Sequence, residues 1–368
     1  MHDCAAHPEY KRLKTEYPMN TRYTLKNGYS FSRIINGGWQ LSEGHALKSA
    51  IEKQDVLKAF HELVSRGFTT FDCADIYTGV EEFYGVFLKE HLAAGGNRED
   101  IQFHTKYVPD RSVLAELNPE DIRKAVHSSL RKLGVEQVDM VQFHWWEYDV
   151  PGYLEALYEL QKLKEEGKIS QVSLTNFDTH RTREILESGI TISSMQAQYS
   201  LLDRRVENTM QAYCKEQDIA LLCYGTLAGG FLTDRWLGQP DPPRDLDNRS
   251  LVKYRIIIDD FGGWEAYQEL LQILEEMSGR YDCRIANIST AYILQKNAVG
   301  AAIIGTRSSR HVEANGQTLA LQLEREDVKK IDAFLSRHPG PKGEPFELER
   351  SEDGPHIKVM LRNLNKKS

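Results

Sequence analysis

The sequence predicts a single (β/α)8 barrel of the α/β class, and three observations support this prediction. Eight short segments are almost wholly apolar, as strands covered on both faces of a parallel sheet must be. Amphipathic segments with helical periodicity lie between most of them. The chain has 368 residues, of which 40% are hydrophobic and 27% charged, so it is long enough for a barrel with extensions and has an ordinary globular composition.

The predicted barrel strands follow an N-terminal hairpin. Residues 1–21 are polar and unpatterned, so we expect an N-terminal extension there. The Asn27-Gly28 pair lies between the alternating residues of segment 23–31, a pattern that predicts a β-hairpin. The eight barrel strands are expected at residues 33–38, 68–73, 101–106, 137–144, 169–174, 192–197, 219–224 and 300–305.

Residues 119–133 carry the clearest helical pattern. Asn118 can cap this helix, Pro119 suits its first position, and Gly134 suits its end. Similar apolar stripes run through residues 54–65, 153–166 and 207–217. Together with the strands, these helices predict a barrel domain that extends from residue 22 to residue 337.

Two segments exceed a minimal barrel. Residues 234–262 include the proline-containing stretch 238–245 and show little periodicity, which predicts a long lid or binding loop at the barrel mouth. Residues 338–368 form a C-terminal extension to which the sequence assigns no role. We expect the Arg204-Arg205 pair to lie on a solvent-exposed face.

Charge and cysteine usage narrow the class of protein. The formal charge is -8 and no basic block stands out, which argues against nucleic-acid or membrane-surface partners. We see no signal peptide and no run of about 18 apolar residues that could span a bilayer. The five cysteines have no metal-ligand spacing, so we expect a protein of the reducing cytoplasm without a metal site.

Polar side chains stand at the predicted strand ends, where a barrel of this type carries its chemistry. Asp72 ends the second strand and Tyr77 follows in its loop, Lys106 ends the third, and His144 ends the fourth. A cation beside a phenol lowers its pKa by roughly 1–3 units, so Lys106 would activate Tyr77 while Asp72 holds Lys106 in place. His144 could hydrogen-bond a substrate carbonyl. This arrangement suits protonation of a carbonyl oxygen as hydride reaches its carbon.

At these positions the chain resembles the aldo-keto reductases, from about residue 22 to residue 335. The motifs that carry the resemblance are residues 71–77, 105–106, 138–145, 172–177, 196–201 and 304–307, with Asn315 beyond them. The resemblance implies a barrel that binds an extended nicotinamide cofactor without a G-x-G-x-x-G motif, and this chain has none. It implies catalytic roles for Asp72, Tyr77, Lys106 and His144, with Tyr77 as the general acid/base.

The resemblance also implies a cofactor site for NADP(H). Asn176 and Gln196 match residues that hold the nicotinamide carboxamide, and Tyr224 matches the ring on which the nicotinamide stacks. Arg307 matches a 2′-phosphate contact, whereas His311 replaces a glutamine found in many members and leaves a strict NADP preference open. The complete expected set is Gly38, Trp39, Thr175, Asn176, Gln196, Tyr224, Gly225, Leu227, Arg235, Gly305, Arg307, His311 and Asn315.

We therefore expect an NADP(H)-dependent oxidoreductase that acts on a small-molecule carbonyl or alcohol. One alternative is a cofactor-sensing regulatory subunit of the same fold, like the potassium-channel β subunits. Another is a barrel hydrolase with two carboxylates, for which Glu147 would have to face Asp72. Trp39, Trp145 and Trp146 could line a substrate pocket or pack beneath the loops. The sequence indicates neither the substrate nor the oligomeric state.

Overall fold

Eight parallel strands close into a barrel, as the sequence predicts. The computed structural model describes residues 21–43, 52–306 and 308–365. The strands follow one another in the order β10-β3-β4-β5-β6-β7-β8-β9, and a separate antiparallel hairpin, β1-β2, precedes them. The strand bounds are β1 Arg22–Thr24, β2 Ser30–Ser32, β3 Ile34–Gly37, β4 Thr70–Asp72, β5 Gln102–Tyr107, β6 Val138–Phe143, β7 Ile169–Thr175, β8 Ser194–Gln198, β9 Ala220–Tyr224 and β10 Val299–Ile304.

The helices surround the barrel, and the best predicted one has the expected ends. In α3 the Asn118 side chain accepts hydrogen bonds from the backbone N–H groups of Glu120 and Asp121, and Gly134 ends the helix with a φ of 71°. The helix bounds are α1 Lys53–Ser65, α2 Val80–Ala93, α3 Pro119–Leu133, α4 Tyr153–Glu165, α5 Thr179–Glu187, α6 Met210–Glu216, α7 Arg249–Phe261, α8 Gly263–Arg280, α9 Ile285–Leu294, α10 Val312–Ala320 and α11 Arg325–Arg337.

The N-terminal hairpin covers the end of the barrel at which the strands begin. Phe31 is fully buried there. Arg22 donates to the side chains of Thr69 and Gln102, each at 2.9 Å, and the Tyr29 hydroxyl hydrogen-bonds His104 at 2.9 Å. Because buried polar groups need partners, these contacts allow a polar-rimmed hairpin to pack on an apolar barrel interior.

The segment after β9 contains a helix that the sequence analysis did not predict. Helix α7 begins after Asn248, whose side chain accepts from the backbone N–H of Leu251, and it runs through the second half of the predicted loop. Leu251, Tyr254 and Ile258 are among its buried residues. Their spacing is helical, but the prolines that precede them mask the pattern.

The C-terminal segment, residues 338–365, lies across the open end of the barrel. Arg350 donates to the backbone carbonyls of Trp145 and Asn176, both at 2.9 Å. Glu349 accepts two hydrogen bonds from Arg205, at 2.9 and 3.0 Å. The prediction that Arg205 is solvent-exposed is therefore wrong, since its side chain is 1% exposed. Its guanidinium also pairs with Asp203, and a buried guanidinium requires such partners.

Candidate active site

A cavity of about 340 Å³ opens at the C-terminal ends of the strands. All four residues expected to be catalytic line it. So do most residues of the expected cofactor set, namely Trp39, Thr175, Asn176, Gln196, Tyr224, Gly225, Leu227 and Gly305. Because the strands of the barrel end around one opening, side chains that lie far apart in the sequence meet in this cavity.

Asp72 is the centre of a buried hydrogen-bond network at the floor of this cavity. Its Oδ1 accepts from Lys106 Nζ at 2.5 Å. Its Oδ2 accepts from Gln142 Nε2 at 2.9 Å and from Gln196 Nε2 at 2.7 Å. These donors come from β5, β6 and β8, so one carboxylate fixes residues of three other strands. A carboxylate bound in this way orients Lys106 and keeps it charged.

Tyr77 lies beside Lys106. The Lys106 ammonium is 4.8 Å from the centre of the Tyr77 ring. Burial raises the pKa of Tyr77 and outweighs the opposite effect of Lys106, so the net shift is upward rather than the decrease expected from the sequence. Burial alone would lower the pKa of Lys106, but the charge of Asp72 raises it overall. At neutral pH the site therefore holds a protonated phenol next to a cation that can stabilise its conjugate base.

His144 is buried and neutral. Burial, together with the nearby charge of Arg350, lowers its pKa to about 3. Its Nδ1 lies 3.1 Å from the backbone carbonyl of Thr175 and must donate there, because a carbonyl oxygen only accepts. Nε2 has no hydrogen-bond partner among the described residues and carries the lone pair. In this state Nε2 can accept a hydrogen bond but has no proton to donate to a carbonyl oxygen, which is the contact that the sequence analysis expected of His144.

Asn176 is held in a left-handed backbone conformation at the end of β7. Its φ is 60°, a region that asparagine tolerates better than most residues. Its backbone N–H donates to the carbonyl of Gln196 at 2.9 Å, and its Oδ1 accepts from the Tyr224 hydroxyl at 2.9 Å. These bonds fix three residues expected to hold the nicotinamide ring on one side of the cavity.

Two glycines of this wall are packed closely by neighbouring side chains. A Cβ at Gly305 would come within 2.7 Å of the Gln40 side chain. Gly225 has a φ of +76°, and a Cβ there would lie 2.0 Å from the Tyr254 hydroxyl. A side chain at either position would collide with a neighbour that lines the cavity, so the glycines allow Gln40 and Tyr254 to pack closely against the backbone there.

Four described residues of the expected cofactor set do not line the cavity. Gly38 lies behind it, where its N–H donates to the Asp72 carbonyl at 2.7 Å and a Cβ would meet that same oxygen at 2.7 Å. The Arg235 guanidinium lies over the Trp236 ring at 5.2 Å. His311 is exposed, and Asn315 is buried on α10, where it donates to Thr306 at 3.4 Å. Arg307 lies outside the described residues.

The tryptophans divide between the two expected alternatives. Trp39 and Trp146 line the cavity. Trp145 is fully buried beneath the loop and donates to the Val150 carbonyl at 2.9 Å. Glu147 pairs with Arg111 outside the cavity, and Asp72 is the one carboxylate among the described lining residues. A two-carboxylate hydrolase therefore has no second acid here.

Sequence reasoning missed the cavity residues that come from α7 and from the C-terminal segment. The helical spacing of its apolar residues could have predicted α7. No local pattern in residues 338–365 indicates that the C-terminal segment packs against the open end of the barrel. The missed residues are Arg249, Ser250, Lys253, Tyr254, Phe346, Val359, Met360, Leu361 and Leu364.

The described residues contain neither a candidate membrane span nor a candidate metal site. None of the helices there is both long enough and apolar enough to cross a bilayer. No group of three or more His, Cys, Asp or Glu side chains in residues 21–43, 52–306 and 308–365 is arranged to bind a metal ion.

The protein is a (β/α)8 barrel whose strand-end cavity is lined by ionisable side chains, as the active sites of barrel enzymes are. The sequence matches the model of the aldo/keto reductase family over residues 33–336, and the chain belongs to this family.

Relatives of known activity include enzymes that act on different substrates. An NADH-specific methylglyoxal reductase of Escherichia coli is 27% identical over 81% of this chain and 93% of its own length. An aryl-alcohol dehydrogenase of Pestalotiopsis microspora is 26% identical over 81% of this chain and 76% of its own length.

Solved structures agree with the fold. The glycerol dehydrogenase of Gluconobacter oxydans superposes with a TM-score of 0.72 at 23% identity, covering 87% of this chain and 97% of that one. An aldo/keto reductase of Klebsiella pneumoniae in complex with NADP and acetate superposes with a TM-score of 0.65 at 20% identity, covering 88% and 97%. At these identities both support the fold alone.

Proposed function

We propose that the protein reduces aldehydes or ketones to alcohols, or catalyses the reverse reaction, with a nicotinamide cofactor. The observation that carries the proposal is the pairing of a protonated Tyr77 with Lys106 in a cavity where Asp72 anchors the lysine. On this proposal residues 22–337 form the catalytic barrel, and the C-terminal segment completes the wall of its cavity.

The proposed proton transfer follows from the side chains themselves. The Tyr77 hydroxyl donates its proton to the carbonyl oxygen, and Lys106 stabilises the phenolate that forms. Asp72 keeps Lys106 charged and oriented. Once Tyr77 has given its proton to the carbonyl oxygen, the free Nε2 of His144 can accept a hydrogen bond from the hydroxyl that forms. The nicotinamide supplies the hydride when it is bound.

The proposal predicts that Tyr77→Phe loses turnover and keeps cofactor binding. We expect kcat for aldehyde reduction to fall about 10²–10⁴-fold, the usual contribution of a general acid. The measurement is NADPH oxidation by absorbance, with cofactor affinity from fluorescence titration. Tyr29→Phe, at the other end of the barrel, is the matched control. Full activity in Tyr77→Phe would contradict the proposal, and tight cofactor binding by a wild type without turnover on an aldehyde panel would favour the regulatory alternative.

We further propose that the cofactor is NADP(H). Asn176, Gln196 and Tyr224 would hold the nicotinamide end, and the positions of Arg307 and Asn315 in the family motif suggest a 2′-phosphate and an adenine contact. The NADH-specific relative makes this preference a point to test. We expect NADPH to bind at least about tenfold more tightly than NADH, since a guanidinium-phosphate contact is a charged hydrogen bond. Equal dissociation constants for NADPH and NADH would contradict the assignment of NADP(H) as the cofactor.

A further inference from the structure

Lys253 brings an ammonium group into the cavity from α7. The residue lines the cavity, and its side chain is 13% exposed. Three aromatic rings surround the ammonium: its Nζ lies 5.3 Å from the Tyr224 ring centre, 5.7 Å from Tyr254 and 5.9 Å from Phe346. Such a cation, facing a cavity with mostly apolar surroundings, is costly unless a negative group partners it.

The carboxylate that pairs with Lys253 is shared with Arg205. Glu349 is the one carboxylate within ion-pair distance of Lys253 among the described residues, at 3.4 Å. Both oxygens of Glu349 accept shorter bonds from Arg205, at 2.9 and 3.0 Å. An ammonium has three N–H donors, so Lys253 retains donors for a ligand in the cavity. Burial lowers the pKa of Lys253 despite Glu349, so further negative charge nearby would stabilise the charged form.

Two further cations lie near Lys253 in this part of the protein: Arg249 of α7 lines the cavity, and Arg350 belongs to the C-terminal segment. Arg350 donates to the backbone carbonyls of Trp145, Trp146 and Asn176, and no carboxylate pairs with it among the described ion pairs. Asp72, the one acidic residue among the described lining residues, is committed to Lys106. The wall formed by α7 and the C-terminal segment therefore favours an anionic group on the ligand.

Phe346 sets the distance between this cation and the reacting end of the cavity. Its ring packs edge-on against the His144 ring, with centres 5.3 Å apart, and its other contacts include Lys253. Because the Phe346 ring contacts both groups, the Lys253 ammonium and the imidazole beside which the carbonyl would react lie no farther apart than one aromatic ring with a contact on each side.

We infer that Lys253 binds a carboxylate of the substrate, which carries its reacting carbonyl one aromatic ring, or a chain of similar length, away from that carboxylate. This inference rests on the proposed function of the same cavity. The cofactor phosphates offer the same anionic oxygens, so the test must separate the two sources.

The test compares two aldehydes of similar shape, 4-carboxybenzaldehyde and 4-methylbenzaldehyde. We expect the wild type to prefer the carboxylated aldehyde, and Lys253→Met to reduce the ratio of the two kcat/KM values about tenfold or more, mainly through KM. Lys253→Arg should restore most of the ratio. Lys358→Met removes the same charge from an exposed position on the C-terminal segment outside the cavity lining, and it should leave the ratio unchanged.

Lys253→Met removes one of the two cations that pair with the buried Glu349 but leaves the two bonds from Arg205, so we expect a folded variant of reduced stability. A thermal unfolding midpoint checks this. If the variant reduces both aldehydes with the wild-type ratio, the inference is overturned and the proposed function stands. If NADPH affinity falls tenfold instead and the ratio is kept, the anion belongs to the cofactor and the substrate assignment is overturned.

A binding measurement tests the carboxylate site separately from the proposed catalytic function. If the wild type reduces neither aldehyde, that function fails, and 4-carboxybenzaldehyde is then titrated against the fluorescence of the cavity tryptophans. Tenfold weaker binding to Lys253→Met than to the wild type supports the carboxylate site. Equal binding overturns it.

Discussion

The two ends of the barrel bury similar groups in different ways. His104, near the hairpin, and His144, at the cavity, are both buried, and burial lowers the pKa of each to about 3. Each ring also has one nitrogen without a described partner. Only the His144 ring lines the cavity. An unpartnered buried atom is therefore no marker of a site unless a cavity adjoins it.

The ends also differ in how they hold an arginine. At the closed end, Arg22 bonds neutral oxygens of Ser30, Thr69 and Gln102. At the open end, Arg205 bonds the carboxylates of Asp203 and Glu349. Neutral acceptors can be left to water at modest cost, but buried carboxylates cannot. The open end is thus the more fragile one, because its wall depends on charges that must remain paired.

The largest expected effect comes from Arg205→Met. Removal of the cation leaves two buried carboxylates without their main partner, so we expect the free energy of unfolding to fall by about 3–5 kcal/mol. Urea denaturation measures the loss. The variant should also raise KM, because Glu349 no longer anchors the C-terminal segment.

Arg22→Met is the matched variant at the closed end. It removes hydrogen bonds to neutral groups only, and we expect a loss of about 1–3 kcal/mol with unchanged KM. Equal losses of stability in the two arginine variants would break the contrast between the ends.

A smaller effect should appear in the acid dependence of stability. An unfolded histidine has a pKa of about 6.5, and the two buried rings take up protons only near pH 3. The unfolded chain therefore binds more protons as pH falls below about 6.5, and the stability that the neutral rings contribute above this pH is lost. Between pH 7 and pH 5 we expect a loss of about 2 kcal/mol per histidine.

Variants isolate the contribution of each histidine. Burial raises the pKa of Asp75 and Glu81, which acts in the opposite direction, so each variant must be compared with the wild type at every pH. His104→Gln and His144→Gln should each make the fall in unfolding free energy between pH 7 and pH 5 smaller by a similar amount. A pH dependence identical to that of the wild type in either variant would contradict the shift for that ring.

The barrel and the core of its site could be predicted because both depend on local signals. Apolar strand segments set the fold class, and the rule that chemistry lies at strand ends then groups Asp72, Lys106 and His144 without knowledge of any distance. The family motifs added roles to these positions. The match over residues 33–336 confirms the family.

The rest depends on contacts between distant parts of the chain. Glu349 lies 144 residues from Arg205 in the sequence, so nothing near Arg205 indicates that it is buried. The direction of the Tyr77 pKa shift depends on two opposing effects, burial and the charge of Lys106, and sequence supplies only the second. The hydrogen bond from His144 Nδ1–H to the Thr175 carbonyl likewise depends on the orientation of the imidazole ring, which the sequence does not reveal.

The network around Asp72 has a consequence for engineering. The Asp72 carboxylate accepts hydrogen bonds from residues of three other strands, so it both links the strands at the barrel mouth and anchors Lys106. An inactive Asp72 variant could not separate a lost reaction from a loosened scaffold. Attempts to retune this protein for new substrates should therefore leave the cavity floor and the paired Arg205 and Glu349 intact. The apolar lining residues of the C-terminal segment, such as Met360 and Leu361, can be varied without breaking either network.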